Sequence, residues 1–246
     1  MFYSNKPVKL EDSNTHGLSS NPATELFIVE GDSAAGAVAG VRAVQFQAVL
    51  PMQGKPLNAL KAKAAKVHGN PLFMQLSIAL GVPLVDALQV DPNQADSDWL
   101  QTQWSGQLAA LRFSRVNLLF DPDADGIHCG ALMLMFFWRW MRPLLASGRI
   151  HMIRAPLFEM IAHKSDGELL VAHPDSVALS KDITANWTAT GAAQIEIHHY
   201  RGLGSINADV LARTCVDPVT RQSTVVGLAT AQSAIAVFAP QVAPPV

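Results

Sequence analysis

Apolar positions along this chain fall into two kinds of run. ELFIV (25–29), FQAVLP (46–51) and RVNLLF (115–120) are short and barely alternate, as expected for strands covered on both faces of a parallel sheet. Between them lie stretches that suit helices. SAAGAVAGVRAV is rich in small residues and fits a helix packed closely on a sheet, and PLNALKAKAAKV sets apolar positions on one face and lysines on the other. PLFMQLSIALG reads as a helix stopped by Gly81, and a further apolar helix is predicted from about Gly130 to Leu145. Downstream, RIHMIRAPLFEMIA predicts one or two strands, DGELLVAH a hairpin, and AQIEIHHYRGLGSIN a strand running into a glycine loop, with a helix over 207–214. Strands alternating with helices predict an α/β fold with a largely parallel sheet. Residues 1–22 read as a loose polar lead-in, 23–160 as the main domain, 161–236 as an appended segment completing it, with the glycine loop at 201–204, and 237–246 as an Ala/Pro-rich tail. A polar surface excursion is predicted over 91–107, and no internal repeat is present.

Composition narrows the classes. The chain has 246 residues, 49% of them hydrophobic and only 15% charged, enough for a substantial packed core. Its net charge of −2 provides no global basic field, so any nucleic-acid contact has to be local or shared with a partner. Cys129 and Cys215 sit in no CxxC spacing and read as reduced packing residues. The N-terminal stretch has no apolar leader core, and ALMLMFFW (131–138) is too short to span a bilayer. The expectation is a soluble, cytoplasmic protein without a membrane partner.

The chemistry concentrates in VNLLFDPDADGIH (116–128), where Asp121, Asp123 and Asp125 follow a buried-type strand with no spacer. Like charges so close raise one another's pKa unless something positive lies among them. A solvated acidic turn is the bland alternative. A calcium loop of the EF-hand type fails twice: its twelfth position, Leu132, should be a bidentate glutamate, and a strand rather than a helix precedes it. A magnesium site at the C-terminal end of a parallel strand accounts for the cluster best, because Mg²⁺ takes one or two carboxylates plus waters and a substrate phosphate. Glu30, closing ELFIV in the same manner, is the natural further ligand or base. EGDSAAG lacks a P-loop and there is no GxGxxG, so no ATP site is expected in this chain.

In order, ELFIVEGDSAAG, FQAVLPMQGKPLNALKA, DPDADGIHCGALMLMFFWRWM, RGLGSIN and CVDPVTR resemble the TOPRIM domain of the B subunit of bacterial type IIA topoisomerases. The resemblance implies a Rossmann-like TOPRIM fold that binds Mg²⁺, replaceable by Mn²⁺. It also implies work on DNA beside an A-type subunit whose tyrosine cuts and reseals the strands. By position it makes Glu30 a metal ligand and general acid/base, Asp121 and Asp123 metal ligands, and Asp125 a second or alternating ligand. Lys55 and Asn58 would sit beside the scissile phosphate, with His128 next to the metal loop. The family's ATPase and transducer regions are missing, which implies a separate ATPase chain if strand passage occurs, and a nucleoid-associated protein inactive without partner chains. Three departures reduce the likeness: Gln53 where a basic residue is usual, Gly130 where an arginine follows the loop, and Ser205 where the glycine loop carries glutamate. Two of them remove positive charge, so DNA binding weaker than the family's is expected.

Other residues carry less. Lys61, with Lys63 and Lys66, is either a solvated face or a DNA contact, Lys61 being favoured by its place in a matched block. Arg201 either holds a phosphate or caps its turn. His198 and His199 form no zinc spacing. Tyr3 and Tyr200 are the chain's tyrosines, one in the lead-in and one at the glycine loop, so a nucleophilic tyrosine has to come from another chain. Beside the topoisomerase-like reading stand two others: a self-sufficient Mg²⁺-dependent nuclease with Glu30 as base, and a non-catalytic remnant that binds DNA or a topoisomerase subunit.

Overall fold

The computed structural model describes residues 9–17, 23–87, 105, 108 and 111–238. Tyr3, the excursion over 91–107 apart from residue 105, and the tail beyond Phe238 lie outside the described residues. A central sheet runs in the order β2-β1-β3-β4-β8. Its strands β1 (Glu25–Val29), β2 (Gln47–Pro51), β3 (Arg115–Phe120) and β4 (Ile150–Arg154) are parallel, and the edge strand β8 (Ser223–Val225) is antiparallel.

Both faces of this sheet are covered, which is why the strands read as unbroken apolar runs. Phe27, Val29, Val49, Leu119 and Ile153 face helix α1 (Asp32–Val41), whose Ala34, Ala35 and Val38 allow a close approach. Leu26, Ile28, Ala48, Leu50 and Leu118 face the opposite way, onto α3 (Pro71–Leu80) and α4 (Ala124–Trp140). There Phe73 stacks on Phe136 at 4.3 Å. Each such fully buried side chain contributes roughly 1.5–3 kcal/mol. The methionine and aromatic stripe of α4 is therefore core, as its apolar spacing implies.

Several boundaries differ from expectation for visible reasons. The helix predicted over PLNALKAKAAKV is reduced to α2 (Ala64–His68). Before it the backbone is held open: Arg139 donates to the carbonyls of Ala59, Leu60 and Ala62 at 3.1, 2.8 and 2.8 Å, and the Trp140 indole donates to Ala59. The apolar helix starts earlier than Gly130, at Ala124, because Asp123 caps it, and it ends at Trp140 before α5 (Arg142–Ala146), where Pro143 cannot extend it. The lead-in is anything but loose over 9–17. Leu10 is buried, and Glu11 and Val49 exchange two backbone hydrogen bonds that cover the outer edge of β2.

A second, antiparallel sheet of β5 (Phe158–Lys164), β6 (Leu169–Ala172) and β7 (Ala192–His199) follows, in the order β6-β5-β7, with the predicted hairpin between β5 and β6. Helix α6 (Val177–Ala189), capped by Ser176, packs on it. The chain then returns to the α1 side through a 3-10 turn (Leu203–Ser205), α7 (Ala208–Leu211) and a π turn (Ala212–Val216). Helix α8 (Leu228–Phe238) lies on α4.

Candidate functional site

The chain goes from β1 outward to β2 and then crosses to β3 on the other side of β1, so the strand order reverses between β1 and β3. Ligand sites of open α/β sheets lie outside the carboxyl ends of strands at such a point. β1 leads directly into Glu30 and β3 into Asp121, and with Ile28 level with Leu118 the two carboxylates leave neighbouring strands at one edge of the sheet. The loop after Asp121 turns back tightly. A Cβ on Gly126 would lie 1.9 Å from the Asp121 carbonyl oxygen, which accounts for the glycine closing D-x-D-x-D-G. Asp123 caps α4 by accepting from the Gly126 N–H at 2.8 Å, and Asp125 lies in the first turn.

Lys55 arrives from the loop after β2. Gln53 and Gly54 both take left-handed backbone (φ 59 and φ 103), and the Gly54 N–H donates to the Glu30 carbonyl at 3.3 Å. That turn brings the Lys55 ammonium to 2.9 Å from Asp125. The pairing holds the Asp125 carboxyl below the usual carboxylate range and the Lys55 ammonium above its own. His128, exposed on α4, adds to the pull on Asp125.

Glu30 and Asp121 are half-buried and, among the described residues, have no such partner. Burial pushes the Glu30 carboxyl up, and the charges of Asp121, Asp123 and Asp125 push it further, with only Lys55 opposing. Burial also raises Asp121, with help from Asp123, while a hydrogen bond from the Leu203 N–H, 2.8 Å long, works the other way. Both carboxylates line a cavity of about 350 Å³ together with Ser33, Arg201, Gly202 and Leu203. The sheet thus assembles Glu30, Asp121, Asp123, Asp125 and Lys55 at one edge and adds Arg201 from the far end of the chain.

Asn58 and Lys61 stand apart. The Asn58 side chain accepts from the Lys61 N–H at 3.2 Å and so caps its own turn. Lys61, Lys63 and Lys66 are exposed and make no ion pair among the described residues. Cys129 and Cys215 are buried, their thiols pushed up to about 11, in keeping with packing roles. Burial pushes the Tyr200 phenol up to about 12, which suits a core residue better than a nucleophile.

Among the described residues no three His, Cys, Asp or Glu side chains close around a single point as a ready-made metal cage. Each aspartate is drawn to its own partner instead: Asp121 to Leu203, Asp123 to Gly126, Asp125 to Lys55. The donor set is nonetheless all-oxygen and short of positive charge, the chemistry of a hard divalent cation that needs only one or two carboxylates. Sequence reasoning missed the residues behind the aspartates, above all the Leu203 N–H. The glycine spacing R-G-L-G was visible, but its contact with Asp121 is made across most of the chain.

With this geometry in place, comparison with known proteins is direct. Residues 25–155 match the Toprim domain family. The DNA gyrase B subunit of Thermotoga maritima is 34% identical over 233 residues, covering 94% of this chain and 32% of that protein. The DNA gyrase B subunit of Thermus thermophilus is 33% identical over 216 residues, covering 87% of this chain and 30% of its own length. The novobiocin-resistant DNA gyrase B subunit of Streptomyces niveus is 33% identical over 213 residues, 86% of this chain and 28% of its own. The chain thus spans about a third of the length of these relatives. Among the described residues no helix is long and apolar enough to cross a membrane. Fold, strand-end carboxylates and the matched segment agree, and the chain belongs to the Toprim family.

Proposed function

We propose that this domain is the Mg²⁺-binding half of a type IIA topoisomerase-like centre that cleaves and rejoins DNA, with the nucleophilic tyrosine supplied by an A-type partner subunit. The observation that carries the proposal is the pair Glu30 and Asp121 at the switch point of the sheet, both held above their ordinary pKa by burial and by the carboxylates around them. Glu30 and Asp121 would hold the ion, with Asp123 as a further ligand and Asp125 as an alternating one. A bound Mg²⁺ supplies Lewis-acid polarisation of a phosphate oxygen. Glu30, with its raised proton affinity, is suited to take and return a proton at its carboxyl oxygen. Lys55, paired with the exposed Asp125, would meet a phosphate once Asp125 releases it, and Arg201, which lines the cavity, would offer a second cation. DNA is the substrate this arrangement fits, in the company of a partner's tyrosine. A nucleoid-associated cytoplasmic protein follows from the same reading.

The experiment is a Mn²⁺ titration of the intact chain and of Glu30→Ala and Asp123→Ala, followed by plasmid cleavage with and without a gyrase A subunit. Binding weakened by both substitutions, and cleavage only with the A subunit, supports the proposal. Nicking by the chain alone that Glu30→Gln abolishes would replace it with a self-sufficient nuclease. A non-catalytic role, binding DNA or a topoisomerase subunit, draws its support from the carboxylates' failure to close around one point and from Gln53, Gly130 and Ser205. Absence of Mn²⁺ binding would select it.

A further inference from the structure

Asp121 is held from behind by a loop more than eighty positions away in the chain, the contact running from the Leu203 N–H to its Oδ1. The loop is shaped to that carboxylate. Gly202 has φ 141, and a Cβ there would lie 2.6 Å from Asp121 Oδ2, while a Cβ on Gly204 would lie 2.5 Å from Ser33 Oγ. The two glycines therefore let the backbone slide between α1 and the aspartate. What keeps the turn in this conformation is Ser205. Its hydroxyl accepts from the Arg201 N–H at 2.9 Å and donates to the Gly202 carbonyl at 2.7 Å, and its own N–H donates to that carbonyl at 2.9 Å. Ser205 is exposed, so the hydroxyl does little else for packing.

We infer that Ser205 is a positioning residue: its hydroxyl latches the glycine loop so that the Leu203 N–H holds Oδ1 of Asp121 and so sets the orientation of the carboxylate that would meet the cation. The inference rests on the metal reading above and deepens it. Groups that orient a metal ligand typically change metal affinity by about 10–100-fold when removed. A serine also closes the loop without adding a carboxylate beside Glu30 and Asp121, where a further negative charge would deepen the repulsion.

The test uses the full chain with two readouts, Mn²⁺ affinity by electron paramagnetic resonance and, in metal-free protein, hydrogen exchange at the Leu203 amide. Ser205→Ala is expected to weaken Mn²⁺ roughly tenfold and to speed exchange at Leu203, with the thermal midpoint little changed. Ser205→Thr, which keeps the hydroxyl, is expected to restore both. Gly202→Ala, which drives a methyl group into the carboxylate, should weaken Mn²⁺ more than Ser205→Ala does. Ser205→Ala binding Mn²⁺ as tightly as the unaltered chain would overturn the inference, as would Thr failing to rescue. If the unaltered chain binds no Mn²⁺, the metal reading falls. The Leu203 amide then decides the latch alone, and equal protection with and without the hydroxyl would overturn it.

Discussion

β1 begins on Glu25 and runs directly into Glu30, and the two ends of the sheet treat these glutamates oppositely. At the N-terminal end Glu25 is buried and surrounded by donors. Arg221 forks onto both its oxygens, Arg115 reaches it at 3.1 Å and Gln47 at 2.8 Å. The carbonyl of Val216 takes further donors from Arg221 and Gln47, and the Arg221 guanidinium lies 5.5 Å from the centre of the Phe27 ring. About 17 Å along the strand, Glu30 opens onto a cavity shared with Asp121, its charge opposed among the described residues by Lys55 alone. One end is neutralised by the fold itself and joins β1, β2, β3 and the C-terminal segment into one unit. The other is left with surplus negative charge, an arrangement that destabilises the fold unless a ligand arrives. The same residue type thus separates stability from chemistry along a single five-residue strand.

The comparison breaks most readily at its stable end. Glu25→Ala strands Arg221 and Arg115 near a buried void, and breaking such a pair typically costs about 3–5 kcal/mol. Urea unfolding should show a loss of that size, and a loss too small to measure would mean that Glu25 does not tie the sheet to Arg221. Gly126→Ala comes next, because the added methyl must displace the backbone of Asp121. A penalty of roughly 1–3 kcal/mol is expected, together with loss of Mn²⁺ binding, and a variant of native stability would show that the acidic loop tolerates another path.

At the open end the sign reverses. A carboxyl whose pKa is raised by folding binds its proton more tightly in the folded chain than in the unfolded one. Stability therefore falls as pH rises through that raised value. Glu30→Gln removes the ionisation and should stabilise the metal-free protein at neutral pH, by on the order of 1 kcal/mol for a repulsion close to solvent. The gain should fade as pH is lowered through the Glu30 pKa and should shrink when Mg²⁺ is added to both proteins. A thermal midpoint that drops on substitution would contradict the repulsion. The smallest effect is reserved for Lys55→Met. Both partners of its ion pair are exposed, so the unfolding midpoint should stay put while the Asp125 carboxyl, followed by NMR, titrates at higher pH.

Much of this contrast was legible in the sequence at its open end and hidden at the closed one. Glu30, Asp121, Asp123 and Asp125 sit directly behind apolar runs, and a strand followed by a carboxylate needs no tertiary information to be noticed. Glu25 looks the same in the sequence as any strand-opening glutamate, since Arg221 lies at the far end of the chain. The 56–67 segment shows the reverse error. Its lysine spacing is helical, yet Arg139 and Trp140 satisfy the carbonyls of Ala59, Leu60 and Ala62, and that tertiary gain outweighs local propensity. Helices α6 and α8 went unread because neither carries a strong apolar stripe or a cap the pattern made conspicuous.

Arg139 also carries a consequence for the geometry of the whole edge. It forks onto Asp86 at 2.9 and 2.7 Å while gripping the segment 59–62, and it sits near the C-terminal end of the helix whose first turn bears Asp125. The stretch from Lys55 to Ala62 is thus fastened to one rod at two points, through the Lys55–Asp125 pair and through Arg139, about 21 Å apart along the helix axis. A rod gripped at both ends works as a gauge. The spacing between Lys61, which lies in the gripped segment, and the acidic loop is then set by a helix length rather than by a loop conformation. Because Arg139 grips backbone carbonyls, substitution at Lys61 can alter the charge there without altering its distance from the carboxylates.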